Sequence, residues 1–216
     1  RPGGDHARLD AEISVGGDEG PGEVAVLRLR GELSSHTNSV AIPLLLPDTP
    51  VVAWWPVNPP LIPGEDLIGA HAQRRITDAA AAADPIAELR LRAQHYRPGD
   101  SDLSWTRVTS WRSAIAAILD DPHALPTQID VEVDRANPSG ALLIAWLQAK
   151  LDVPVQQRDT AQQGIITVRL HTPIGEIILR RLDHESVTLE RPGVPPSTLD
   201  RKSTRLNSSH TDISRM

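Results

Sequence analysis

Ile129, Val131 and Val133 alternate with Asp130, Glu132 and Asp134. Asn137-Pro138-Ser139 then opens a stretch in which Leu142, Leu143, Trp146, Leu147 and Leu151 line one side. The first pattern has the period of a strand with one apolar and one acidic face, and the second has the period of a helix with one apolar stripe. A chain that switches period over so few residues must fold the helix back onto the sheet, because neither apolar face is covered alone. Three more strand-like runs follow, Gly164–Leu170, Gly175–Leu182 and Val187–Glu190, with turn residues between them. Upstream, Asp84 is placed to cap a helix with Pro85 at its first position. Ile86, Leu89, Ala93 and Tyr96 recur at helical spacing until Pro98-Gly99 ends the run. Ser110 is expected to cap a further helix striped by Trp111, Ile115, Ile118 and Leu119. This order predicts a mixed sheet with helices packed on it.

The first part of the chain reads differently. Leu9–Val15 and Glu23–Arg30 alternate as two strands joined by the turn Gly16–Gly22. Ser34, Ser35 and Asn38 precede Val40–Leu46, which predicts a short helix stopped by Pro47. Val51-Val52-Ala53-Trp54-Trp55, continuous and apolar between Pro50 and Pro56, predicts a strand buried on both faces, as in a covered parallel sheet. Asp66–Gln73 is expected to be helical and Arg74–Asp78 a short strand. The small-residue run Ala79–Ala83 marks a domain junction. The expected fold is therefore α/β, with α+β character in the second half: two small domains, each a mixed sheet packed with helices.

Composition excludes several function classes. The chain has 216 residues and no cysteine, so disulfides, thiolate nucleophiles and Cys-ligated zinc are ruled out within it. Its net charge of −6 argues against a nucleic-acid or anionic-membrane binder. No apolar run approaches the ~20 residues of a membrane span, and the expected compartment is the cytoplasm. Phe is absent and Arg outnumbers Lys twenty to two, the mark of a GC-rich genome, so the Arg excess carries no functional weight. The chain begins without Met, which suggests the interior of a longer reading frame. From Asp200 to His210 the residues match, codon for codon, a short-read sequencing adapter translated in frame. Asp200–Met216 is accordingly read as foreign to the fold. What remains carries 18 basic and 26 acidic residues, a net charge of −8.

No phosphate-binding loop, dinucleotide fingerprint, nucleophile elbow or zincin motif is present. The histidines are scattered, with no pair at the i, i+4 spacing of a metal face. Asp100 and Asp102 form a candidate acid–base pair, but their place after Pro98-Gly99 and ahead of a helical segment favours turn and cap roles. Asn137, Ser139 and Gly140 at a helix start form a candidate anion site; simple capping explains them as well. Trp54-Trp55 and Trp105/Trp111 are two indole-rich blocks, and Arg74-Arg75 and Arg107/Arg112 are expected to lie near them. Adjacent strand residues point to opposite faces, so either both Trp54 and Trp55 are core or one reaches a surface where a protein docks.

The blocks Leu46-Pro47-Asp48-Thr49-Pro50-Val51-Val52-Ala53-Trp54-Trp55-Pro56, Arg74-Arg75-Ile76-Thr77-Asp78-Ala79, Tyr96 to Arg112, Pro138 to Leu147 and Arg191-Pro192-Gly193 resemble, in order, the glucose-6-phosphate dehydrogenase assembly protein family OpcA in its actinobacterial form. The match runs through most of Leu9–Pro196. The resemblance implies two α/β domains: 1–80 as the later part of a truncated N-terminal domain, and 81–199 as the C-terminal domain, with 200–216 non-native. It implies a non-catalytic allosteric partner that binds glucose-6-phosphate dehydrogenase and controls entry into the oxidative pentose phosphate pathway. No cofactor, metal, nucleic acid or membrane is expected. Candidate partner-binding residues are Trp54, Trp55, Arg74, Arg75, Asp100, Asp102, Trp105, Arg107, Trp111 and Arg112. Cyanobacterial relatives link this partner to thioredoxin through cysteines, and this chain has none. The alternative is a sensor domain taking a sugar phosphate or nucleotide at Asn137–Gly140.

Overall fold

Strand β6 (Gln128–Asp134), helix α5 (Pro138–Leu151) and strand β7 (Val155–Thr160) form a parallel crossover, with Ile129 beside Val155 and Glu132 beside Arg158. Strand β8 (Ile165–Thr172) lies antiparallel on the other side of β6, and β9 (Gly175–Arg181), β10 (Ser186–Arg191) and β11 (Val194–Asp200) continue outward. The sheet order is β11-β10-β9-β8-β6-β7. These positions come from a computed structural model that describes residues 7–16, 22–46, 48–121, 125–183 and 186–200. The chain divides into two units, one of residues 1–55, 59–76 and 95–100, the other of residues 56–58, 77–94 and 101–216.

The second unit holds the larger core. Ile129, Val131 and Val133 of β6 and Val168 and Leu170 of β8 pack against Leu143 and Leu147 of α5 and against Trp111, Ile115 and Ile118 of α4 (Thr109–Leu119). All are buried. The alternation in β6 thus divides as its sequence requires, apolar residues toward the helices and acids away from them. Trp105 and Trp146 pack partly buried at the margin of this core. Gly140 faces Val133, and a Cβ there would overlap the Val133 side chain, so only glycine lets α5 lie this close to β6.

Helix α2 (Pro85–Gln94) begins as expected, with Asp84 Oδ1 accepting the Ala87 N–H at 3.0 Å. Ser110 is not a cap: a short helix α3 (Leu103–Arg107) comes first, capped by Asp102, and α4 follows directly from Val108. Asp102 takes the capping role one helix earlier, where its side chain accepts the Ser104 N–H. Two strands of the six-stranded sheet escaped the sequence altogether. β7 is the polar run Val-Gln-Gln-Arg-Asp-Thr at a sheet edge, and β11 begins Val-Pro-Pro at the opposite edge, so neither shows apolar alternation.

The first unit opens with the hairpin β1 (Arg8–Val15) and β2 (Glu23–Arg30), in which Leu9 pairs with Leu29 and Ala11 with Leu27. The helix expected over Val40–Leu46 lies earlier: a 3-10 turn Gly31–His36, α1 (Thr37–Ala41), then a 3-10 turn Ile42–Leu44. Ser34 and Ser35 donate back to the Gly31 and Glu32 carbonyls, each at 2.7 Å, and so tighten the first turn in place of capping a later one. Asp66–Gln73 is not a helix. Two 3-10 turns, Pro63–Glu65 and Gly69–His71, flank Asp66, whose Oδ1 accepts the Ile68 and Gly69 N–H groups at 2.9 and 3.0 Å.

Strands β3 (Val52–Trp54) and β4 (Arg74–Thr77) are parallel, with Val52 beside Arg74 and Trp54 beside Ile76; β5 (Asp100–Asp102) begins beside them. The expectation that Val51–Trp55 is buried on both faces is overturned. Ala53 and Arg75 are 8% exposed on one face, whereas Val52 and Trp54 are 55% and 58% exposed on the other. Within this unit one side of the pair is packed and the other is open. A continuous apolar run cannot by itself report which face its surroundings cover.

Candidate functional site

In the first unit the side chains of the Trp-Trp and Arg-Arg blocks divide by strand parity. Trp55 turns inward, its ring close to Gly69, and its backbone N–H donates to the Ile76 carbonyl at 2.9 Å. Trp54 and Arg74 turn outward. Arg75 is fully committed to architecture. It donates to Asp100 Oδ1 at 2.5 Å, to the Ala72 carbonyl at 2.8 Å and to the Pro98 carbonyl at 2.7 Å. Asp100 also accepts the Arg97 N–H at 2.8 Å, while the Gly99 carbonyl takes the Arg75 N–H at 2.9 Å. Gly99 has φ +98°, and a Cβ there would meet the Gln73 carbonyl oxygen, so this tight return needs glycine.

In the second unit Asp102 is a junction. Its Oδ2 accepts Thr77 Oγ1 at 2.7 Å and the Ala79 N–H at 2.9 Å, and its Oδ1 caps the Ser104 N–H at 2.9 Å. Asp78 caps the next turn through the Ala80 N–H and receives Arg107 through both terminal nitrogens, at 2.7 and 2.6 Å. That Arg107 hydrogen bond holds the Asp78 carboxyl below its ordinary range despite the opposing effect of burial, and it raises Arg107 in turn. The Arg112 guanidinium stacks 3.7 Å from the centre of the Trp105 ring. Trp111 is core. Asp100 and Asp102 therefore hold backbone and side-chain donors, in keeping with turn and cap roles.

At the start of α5, Asn137 Oδ1 accepts the Gly140 N–H at 2.9 Å, Ser139 and Gly140 are buried, and Asp152 in a left-handed conformation closes the helix. A cleft of about 570 Å³ beside this end is lined by Asp84, Arg90, Asp134 and Arg135 among others. Its two acids offset its two arginines, so its charge does not select an anion.

The sheet face turned away from the helices carries a second cleft, of about 420 Å³. Across it runs a chain of polar contacts. Arg158 Nη2 and His171 Nε2 each lie 3.4 Å from Asp130 Oδ2, His171 Nδ1 lies 3.3 Å from Glu176 Oε1, and Arg169 Nη1 lies 2.7 Å from Glu176 Oε2. Burial pushes Asp130 up, but hydrogen bonds from Gln128 and His171 and the charge of Arg158 outweigh it and leave the carboxyl below its ordinary range. Sequence reasoning identified the acidic face of β6 but not this cluster, because Arg158 lies on the unrecognised β7 and cross-strand pairing is invisible to local pattern. Among the described residues no group of three or more His, Cys, Asp or Glu could hold a metal ion. No described helix is long and apolar enough to cross a membrane.

Residues 1–94 match a family described as the glucose-6-phosphate dehydrogenase subunit N-terminal domain, and residues 98–210 match the corresponding C-terminal domain. The chain belongs to this OpcA family. The two matches follow one another in order along the sequence, and the second extends into the stretch read above as foreign. Most of that stretch, residues 201–216, lies outside the described residues. No curated protein and no solved structure matches the chain.

Proposed function

We propose that this chain is a non-catalytic assembly factor that binds glucose-6-phosphate dehydrogenase in the cytoplasm, favours its active state and thereby controls entry into the oxidative pentose phosphate pathway. The observation that carries the reading is the serial match of both halves to domains described as those of a glucose-6-phosphate dehydrogenase subunit. An effector of this kind needs no reaction centre, because its differential affinity for two states of the enzyme suffices to shift their populations. The division into domains at about residue 80 belongs to the same proposal.

In this reading Trp54 and Arg74, outward on adjacent strands, make the contact, since Trp and Arg are the residue types that dominate interface energies. Within the first unit Trp55, Arg75 and Asp100 support that surface, whereas Asp102, Trp105, Arg107, Trp111 and Arg112 support the second unit's own fold. The test is a titration of the cognate dehydrogenase with the chain. Activity should rise to a plateau, and Trp54→Ala should shift the titration by about tenfold, the loss of a modest hot spot, with the circular dichroism spectrum unchanged. A flat activity profile at micromolar concentrations of both proteins would remove the proposal.

A further inference from the structure

We propose that the cleft on the open face of the β6–β9 sheet receives a basic side chain, arginine or lysine, from another polypeptide. Asp130 and Glu176 are committed to Arg158, His171 and Arg169. Glu132 is not. It lies directly between Arg158 and Thr167 in the sheet register, yet Arg158 turns instead to Asp130 and to Gln156 Oε1, the latter at 3.0 Å. Among the described residues nothing donates to the Glu132 carboxylate. Thr167 is only 3% exposed, and its Oγ1 is closed from solvent with no hydrogen-bond partner, on the polar side of the sheet where it lines the cleft. A buried hydroxyl without a partner is costly; one N–H satisfies Thr167 Oγ1, so a group that brings more than one N–H can serve it and the Glu132 carboxylate together.

The charge agrees. Four carboxylates (Asp130, Glu132, Asp159 and Glu176) face two lining guanidinium groups (Arg158 and Arg169), and Arg180 stands across from Thr167 on β9, so the cleft with this neighbour still carries a net negative charge of one, His171 not counted. A guanidinium or ammonium arriving over Glu132 pairs with the one uncommitted carboxylate among the strand-centre acids. By displacing the side chains that close the floor it also places an N–H on Thr167 Oγ1. The assignment rests on this cleft alone and stands apart from the dehydrogenase reading.

The probe is N-acetylarginine amide, which presents the side chain as a polypeptide does. It is titrated into the full chain while backbone amide resonances are followed, with N-acetylnorleucine amide as the uncharged control. Saturable shifts confined to the amides around Glu132, Thr167 and Arg169, absent with norleucine, are expected. Glu132→Gln should weaken the binding about fivefold or more. Thr167→Val should weaken it while leaving the thermal midpoint unchanged or higher, because it removes an unsatisfied hydroxyl without changing shape. Absence of saturable shifts, or equal affinity in both variants, overturns the proposal. So does free arginine binding tenfold more tightly than the blocked amide, which indicates a metabolite site in place of a docking surface.

Discussion

Asp102 holds three separate donors in the second unit. It satisfies the hydroxyl of Thr77, the N–H of Ala79 and the first turn of α3 at once. Asp102→Ala leaves those donors without acceptors, and it should lower the unfolding free energy by about 2–3 kcal/mol in urea titrations. Asp78 behaves differently because its partner Arg107 is 44% exposed and partly screened by solvent. Arg107 keeps the folded carboxyl below its unfolded value, so the pair contributes fully above the ordinary carboxylate range and is lost as pH falls through the lowered folded value. Asp78→Asn should therefore cost about 1 kcal/mol at neutral pH, and the gap to the parent chain should close below about pH 4. A gap that persisted at low pH would mean that the loop, and not the charge, is what the substitution disturbs. The capping role of Asp102 was legible in the sequence from its place before a helical segment. The Arg107–Asp78 pair was not, because a contact between residues 29 apart leaves no local pattern.

At the scale of elements, β6 and α5 were legible because amphipathic period and capping agree there, and Gly140 ties the two together. Gly140→Ala should cost about 1–3 kcal/mol through overlap with Val133, measurable as a lowered thermal midpoint; an unchanged midpoint would mean α5 can shift outward freely. The two tryptophan blocks separate core from surface. Trp111→Ala should cost about 3–5 kcal/mol by emptying core space between α4 and the sheet. Trp54→Ala, at an open strand face, should change stability by less than about 0.5 kcal/mol. The sequence erred where an element's character depends on what lies across from it. Val51–Trp55 reads as doubly buried from composition, yet Val52 and Trp54 are exposed. β7 and β11 carry no strand signal, because edge strands need neither apolar alternation nor freedom from proline.

For the whole molecule, the fold class followed from element order, and the family followed from combinations of blocks that no single motif carried. The outer-face cleft lay beyond sequence reasoning, since it assembles side chains from four strands whose lateral order is set only by folding. The conspicuous polar residues mostly hold the molecule's own backbone, with Trp54, Arg74 and Glu132 left facing outward. The proposed function requires association with glucose-6-phosphate dehydrogenase. Sedimentation velocity of the cognate dehydrogenase, alone and mixed with this chain at micromolar concentrations, reads that association. A faster boundary containing both proteins is predicted, and two boundaries sedimenting independently would contradict it.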